Sequence, residues 1–157
     1  MITIYTDGSS RGNPGPGGYG VIMMYKELRK ELAQGFRLTT NNRMELMAVI
    51  IGLKAIKNKE LPVCVYSDSQ YVVNAVEKGW LLNWIKTDFK GGKKNRDLWM
   101  EYHKLSRGLK IKFIWVRGHA DNLFNNRCDE LATTAADSSE LLVDEGYEQA
   151  NENGALF

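Results

Sequence analysis

The sequence predicts a single α/β domain whose sheet contains both antiparallel and parallel pairs. Three observations lead there. Three β-rich stretches follow one another through short links at the N-terminus, the pattern of an antiparallel meander. An apolar helix then leads to a fourth β-rich stretch, and a strand reached through a crossover helix lies parallel to the first. Finally, 157 residues with 43% hydrophobic content suffice for one core and are too few for two.

The first element is Ile2-Thr-Ile-Tyr-Thr-Asp-Gly-Ser-Ser10. Its threonines and isoleucines favour a strand, yet it carries an acid, Asp7, where a core should begin. The alternative is that Asp7-Gly8 starts a turn. Residues 12–18 hold four glycines and two prolines, which reverse the chain into a second strand over 19–25. A third strand spans 29–38. Thr39-Thr-Asn-Asn-Arg-Met-Glu-Leu46 opens a helix expected to reach Asn58, with Thr40 or Asn41 as its cap. That helix is apolar on nearly every face, so it should be buried. Glu45 is its one acid between Asn41 and Lys59. A buried, unpaired carboxylate is costly, although a first-turn Glu also suits a helix N-terminus.

Leu61-Pro-Val-Cys-Val-Tyr-Ser-Asp68 is the parallel strand, with Asp68 at its carboxyl end. Functional groups gather at such ends; a plain cap for the helix over 69–77 is the other reading. Residues 78–96 differ in composition, with six basic residues, one acid and the aromatics Trp80, Trp84 and Phe89. Interleaved rings and cations suit stacking on bases or sugars and neutralisation of phosphates. A solvated hairpin with its tryptophans turned inward is the alternative. A helix over 95–106 and a fifth strand over 110–116 follow. Arg117-Gly-His119-Ala120 forms a loop, then a helix begins near Asn125. Cys128, Leu131, Ala132 and Ala135 make its apolar stripe, and Asp129 lies on the flank of that stripe.

Charge is unevenly distributed. Residues 137–157 contain six acids and no Lys or Arg, leaving 21 basic and 13 acidic residues in 1–136, a net +8. A basic body points to an anionic partner. The acidic tail, 137–157, shows little periodicity and is expected to be partly disordered. The sequence contains no apolar run of the ~18–20 residues a membrane span needs, and because it opens directly on a strand no secretory signal is expected. Cys64 and Cys128 are expected to be reduced, in a cytoplasmic protein. Two histidines without a Cys-x-x-Cys pair argue against zinc.

Asp7, Glu45, Asp68 and Asp129 each have a bland explanation, but together they place acids on two strands and two helices that can meet above the sheet. Crowded carboxylates repel and need cations. Hard oxygen ligands select Mg²⁺ or Mn²⁺. Two such ions about 4 Å apart would clamp a phosphodiester.

Several motifs in order strengthen this reading: Tyr5-Thr-Asp-Gly-Ser, Gly12-Asn-Pro-Gly-Pro-Gly-Gly-Tyr-Gly20, Thr39-Thr-Asn-Asn-Arg-Met-Glu-Leu46, Ser67-Asp-Ser-Gln-Tyr-Val72, Gly118-His-Ala120 and Asn126-Arg-Cys-Asp-Glu-Leu-Ala132. With these the chain resembles the bacterial type 1 ribonucleases H over residues 1–136. The resemblance implies a ribonuclease H-like fold, a five-stranded mixed sheet in order 3-2-1-4-5 with helices on its faces. It implies hydrolysis of the RNA strand of RNA–DNA hybrids by two metal ions, leaving 5′-phosphate and 3′-hydroxyl ends. It puts Asp7, Glu45, Asp68 and Asp129 in the metal-binding and catalytic positions, with His119 as an assisting loop histidine. Asn13, Asn42 and Gln70 match residues near the RNA 2′-hydroxyls, where an amide can both donate and accept; Asn41 belongs to the same Asn-rich run. Thr40 and Asn95 match a pocket for a DNA-strand phosphate. Trp80, Trp84, Phe89, Lys86, Lys93 and Lys94 match a basic protrusion that holds the DNA strand. A monomer is expected.

The chain departs from the family pattern in three places. Leu38 stands where relatives often have Arg two positions before the pocket threonine, and the neighbouring Arg37 would face the other side of a strand. The segment Asp121-Asn-Leu-Phe-Asn-Asn126 is more apolar and less acidic than usual, and the protrusion, with Gly91-Gly92, is shortened. A second reading is a binding module that kept the fold and lost the chemistry; a full set of carboxylates facing phosphates argues against it. Another nuclease or an integrase of the wider superfamily is a third, opposed by the Asn-rich motifs.

Overall fold

The computed structural model describes residues 1–117 and 122–155. Strands β1 (Ile2–Ser10), β2 (Gly15–Tyr25) and β3 (Leu28–Thr39) form the expected antiparallel meander. Asp7-Gly8 is not a turn. It lies inside β1, with Asp7 opposite Gly20 and Gly8 opposite Tyr19. The Gly- and Pro-rich run reverses the chain later, between Ser10 and Gly15.

Helix α1 (Asn41–Lys54) ends earlier than the apolar run suggested. Strand β4 (Val63–Ser67) then lies parallel to β1, Ile2 beside Val63. Helices α2 (Gln70–Glu77), α3 (Trp80–Lys86) and α4 (Arg96–Ser106) lead to β5 (Ile111–Trp115), parallel to β4. Helix α5 (Leu123–Ala136), a two-residue strand β6 (Leu141–Leu142) and helix α6 (Glu145–Ala155) complete the chain. The sheet order is β5-β4-β1-β2-β3-β6. This is the expected order 3-2-1-4-5 read from the other edge, extended by β6. None of the helices in the described residues is long and apolar enough to cross a membrane.

Adjacent strand residues point to opposite faces, and β2 uses both. Val21 packs beside Gly52 of α1, together with Ile4 of β1. Gly20 faces α5, where an added Cβ would lie 2.3 Å from the Cys128 carbonyl oxygen. The two helices therefore sandwich the central strands. Ile4, Val21, Met44, Leu46, Val49, Ile50 and Val65 are fully buried in the core, as is Trp99 of α4. Side chains of this size each contribute about 1.5–3 kcal/mol on burial, which explains why α1 tolerates no exposed apolar stripe.

Among the described residues, the tail holds more regular structure than its composition suggests. Leu141 and Leu142 pair in parallel with Gly35 and Phe36, and the chain continues into α6. Its acids have partners more than 100 residues earlier in the chain. Asp137 accepts from Arg11, Glu148 from Arg37, and Asp144 from Arg43. The first two pairs are exposed and worth little each. Asp144 is buried, and also accepts a 2.6 Å hydrogen bond from the Thr39 hydroxyl.

Candidate active site

Asp7 stands on the central strand, where Gly8 meets the start of α1. A Cβ at Gly8 would lie 2.3 Å from the backbone nitrogen of Glu45. Only glycine permits that approach, and the approach brings Glu45 to Asp7. Helix α1 is anchored here at its N-terminus. The Thr40 hydroxyl accepts from the Arg43 N–H, and the Asn13 side chain accepts from the Asn41 N–H at 3.0 Å. Asp68 follows the last residue of β4, immediately beside β1. It does not cap α2, because Ser69 does so by accepting from Val72. The backbone carbonyl of Asp68 instead accepts a 3.1 Å hydrogen bond from the Trp115 indole.

Asp7, Glu45 and Asp68 converge, each offering a carboxylate oxygen within 4.8 Å of the others. Asp7 and Glu45 are buried. Asp7 accepts a 2.9 Å hydrogen bond from the Gly8 N–H. Glu45 Oε2 is buried without a hydrogen-bond partner among the described residues. Burial raises the Asp7 pKa to about 8, with Asp68 and Asp129 adding repulsion. Burial also raises Glu45 well above the carboxylate range, with Asp7 and Asp68 as the next causes. Such a cluster is poorly satisfied by protein alone. An orphaned carboxylate oxygen amid like charges fits a divalent cation with oxygen ligands.

Asp129, on α5, is exposed and stands outside the three-residue cluster, although its charge is close enough to bear on Asp7. The stripe of α5 buries Asn125, Cys128, Ala132 and Ala136, which leaves position 129 at the rim. His119 lies outside the described residues.

Beside Thr40 and Asn95 runs an open groove of about 1250 Å³. Of the expected substrate residues, Asn13, Thr40, Asn42, Trp80, Trp84, Lys93, Lys94 and Asn95 line it. Lys93 sits over the Trp84 ring, 5.7 Å from its centroid. Asn41 and Gln70 are exposed, at the first positions of α1 and α2. Two residues are placed differently from expectation. Phe89 is buried beneath Trp84, 6.4 Å between ring centroids, because an apolar ring next to Trp84 gains more from the core than from solvent. Lys86 is exposed but is not part of the groove wall.

Sequence reasoning missed Arg43, Tyr71, Asp97, Asp144 and Tyr147. Arg43 is buried and pairs with Asp97 and Asp144 at 2.7 and 2.8 Å. Burial alone would lower its pKa, but the two acids raise it overall. Burial likewise opposes the Asp97 charge, and Arg43 nonetheless holds that carboxyl below its ordinary value. A signal existed. An arginine in the first turn of a buried helix must have acids nearby.

A sequence profile of the RNase H family matches residues 1–137. The chain is 54% identical to a ribonuclease H of Desulforamulus reducens over 147 residues, covering 91% of this chain and 92% of that one. It is 51% identical to a ribonuclease H of Syntrophus aciditrophicus over 151 residues, covering 94% and 87%. Among solved structures it is similar to LC9-RNase H1, a type 1 RNase H with the type 2 active-site motif. There the TM-score is 0.78 and the identity 35%, over 94% of this chain and 79% of that one. It is also similar to LC11-RNase H1 in complex with RNA/DNA hybrid, with a TM-score of 0.68 and 26% identity over 87% and 97%. Agreement over nearly the whole length, with about half the residues identical in the first two cases, reflects common descent: the chain belongs to the RNase H family.

Proposed function

We propose that this chain is a metal-dependent endonuclease that cuts the RNA strand of RNA–DNA hybrids and leaves 5′-phosphate and 3′-hydroxyl ends. The observation that carries the reading is the convergence of Asp7, Glu45 and Asp68 close to a groove lined by amides, tryptophans and lysines. These acids, with Asp129 at the rim, would hold two Mg²⁺ ions; Mn²⁺ suits the same oxygens. When bound, such ions supply Lewis-acid polarisation of the phosphodiester and lower the pKa of the attacking water.

The remaining work falls to the chain itself. Asp7 and Glu45 are held rigidly by the β1–α1 contact, so the site does not need to reorganise when charge develops. Asp129, exposed on α5, can accommodate change at the rim. His119 moves a proton. Asn13, Asn41, Asn42 and Gln70 contact 2′-hydroxyls, which distinguish RNA from DNA. Thr40 and Asn95 grip a DNA-strand phosphate. Trp80, Trp84, Lys86, Lys93 and Lys94 hold that strand, and Phe89 supports Trp84 from the core. The partner is a hybrid duplex, bound by a cytoplasmic monomer.

The competing reading, an inactive binding module, leaves the acids unexplained. Without a cation they destabilise one another and repel phosphates. A labelled RNA–DNA hybrid, assayed beside RNA–RNA and DNA–DNA duplexes with Mg²⁺ and with EDTA, tests the proposal. Cleavage of the hybrid's RNA strand alone, in Mg²⁺ alone, is expected. Tight hybrid binding without cleavage in either condition would favour the binding module.

A further inference from the structure

Arg43 lies between the cap at Thr40 and the acid at Glu45, and it is 3% exposed. A guanidinium offers five N–H donors in a rigid fork, and here all five are engaged. Nε and Nη2 donate to Asp144 at 2.8 and 2.9 Å. Nη1 and Nη2 donate to Asp97 at 2.9 and 2.7 Å. Nη1 also donates to the side-chain oxygen of Asn95 at 3.3 Å. Arg43 therefore has no donor left for a substrate, and its role follows from what it holds in place.

It holds the amide of Asn95. That amide is fixed at both ends, since its oxygen accepts from Arg43 and its nitrogen donates to the Tyr71 hydroxyl at 3.1 Å. Asn95 itself sits at the start of α4 with a left-handed backbone, φ 65°. An amide nitrogen carries two hydrogens, and Tyr71 takes one. The second is available to a ligand in the groove that Asn95 and Thr40 line.

The C-terminal segment closes this arrangement. Asp144 supplies one of the two carboxylates on Arg43. Gly146 comes so close that a Cβ there would lie 2.0 Å from Asp97 Oδ2 and 2.7 Å from Arg43 Nη2. Gly146, Tyr147 and Ala150 also line the groove. Glu148 accepts two 2.9 Å hydrogen bonds from Arg37, so the segment is held to the end of β3 at Arg37 as well as at Thr39.

Resting on the reading of the groove as the DNA-strand site, we infer that Asp144 is a positioning residue. Acting through Arg43, it sets the Asn95 amide, so that docking of the C-terminal segment completes the pocket for one phosphodiester oxygen. Asp144 touches no substrate.

The test walks a single neutral methylphosphonate along the DNA strand of a short hybrid. Binding is measured in EDTA, at one salt concentration, for the wild type, Asp144→Asn and Gly146→Ala. Gly146→Ala changes no charge and acts as a steric wedge on the same ion pair, so it also serves if Asp144→Asn folds poorly. For the wild type, neutralising one position should weaken binding about tenfold, the loss of a hydrogen bond to a charged group. Both variants should bind the unmodified hybrid about as weakly as the wild type binds that modified one, with no further loss at that position. If either folded variant shows a lowered Tm but keeps wild-type affinity and the wild-type position dependence, the segment is only structural and the inference is overturned. A flat profile in the wild type would instead overturn the DNA-strand reading of the groove, and this inference with it.

Discussion

Replacing Asp7 with Asn in the metal-free protein probes the crowding of the acidic cluster directly. Asp7 holds its proton more tightly in the folded chain, with a pKa of about 8 against 3.8 without the fold. The folded state therefore binds more protons than the unfolded one throughout that interval, and stability falls as pH rises through it. A gap of roughly four pH units at ~1.4 kcal/mol each sets a ceiling of about 5–6 kcal/mol on the loss. The substituted amide carries no charge to repel Asp68 and Glu45, but it still has to be hydrogen-bonded in a buried site. We therefore expect the variant to exceed the wild type by ~2–3 kcal/mol at pH 8 in EDTA, or about 4–12 °C in Tm. Near pH 4 the two should be close. The assay is thermal unfolding across pH 4–8, with EDTA and with Mg²⁺. Mg²⁺ should restore stability to the wild type at pH 8 more than to the variant, since the cation favours ionised ligands. Cleavage by the variant in Mg²⁺ should be abolished. Parallel pH–Tm profiles in EDTA, with the variant no more stable at pH 8, would refute the account of the cluster as mutually repelling buried acids.

Three further outcomes are expected. His119→Ala should slow hybrid cleavage by ~10²–10⁴-fold while calorimetric Mg²⁺ binding stays intact; a wild-type rate would remove His119 from proton transfer. Replacing Lys93 and Lys94 together by Ala should raise KM with kcat near normal and flatten log K against log salt by ~0.9 for each phosphate no longer neutralised; an unchanged slope would mean that these lysines only solvate the surface. Gly8→Ala should destabilise the fold by at least ~1–3 kcal/mol and depress kcat, because the new Cβ would push α1 and Glu45 away from Asp7. If that variant were as active and as stable as the wild type, the β1–α1 contact would not be what sets the site.

Much of the architecture was legible in the residues. Strands and helices are short-range events, written in alternation, apolar run length and turn residues. The meander, the crossover to β4 and the buried α1 could therefore be read directly. So could the anomaly of Asp7 and Glu45, since an acid in an apolar element stands out locally. The motifs then supplied the sheet order. What the sequence left open were contacts between residues far apart in the chain. Whether Asp68 capped α2 or joined the cluster depended on Ser69 serving as the cap. That Asp129 stands at the rim, outside the cluster of Asp7, Glu45 and Asp68, was also open, because the faces of α5 are set by what packs against β2. Phe89 looked like a surface ring by composition, and the core beneath Trp84 buried it.

The tail is the plainest case. Its acids look unpaired in a linear reading, because Arg11, Arg37 and Arg43 are more than 100 residues away. Composition predicts disorder when no partner is in view. Folding brings the partners together, and a buried arginine such as Arg43 would be costly without a carboxylate beside it. The sequence by itself determined the meander, the crossover to β4 and the buried α1, and that acids set in apolar elements would have to face a cation. Only the tertiary structure decided which acids meet and which arginines are neutralised. It also decided that the C-terminal segment is part of the groove, because each of these depends on distances set by the whole sheet.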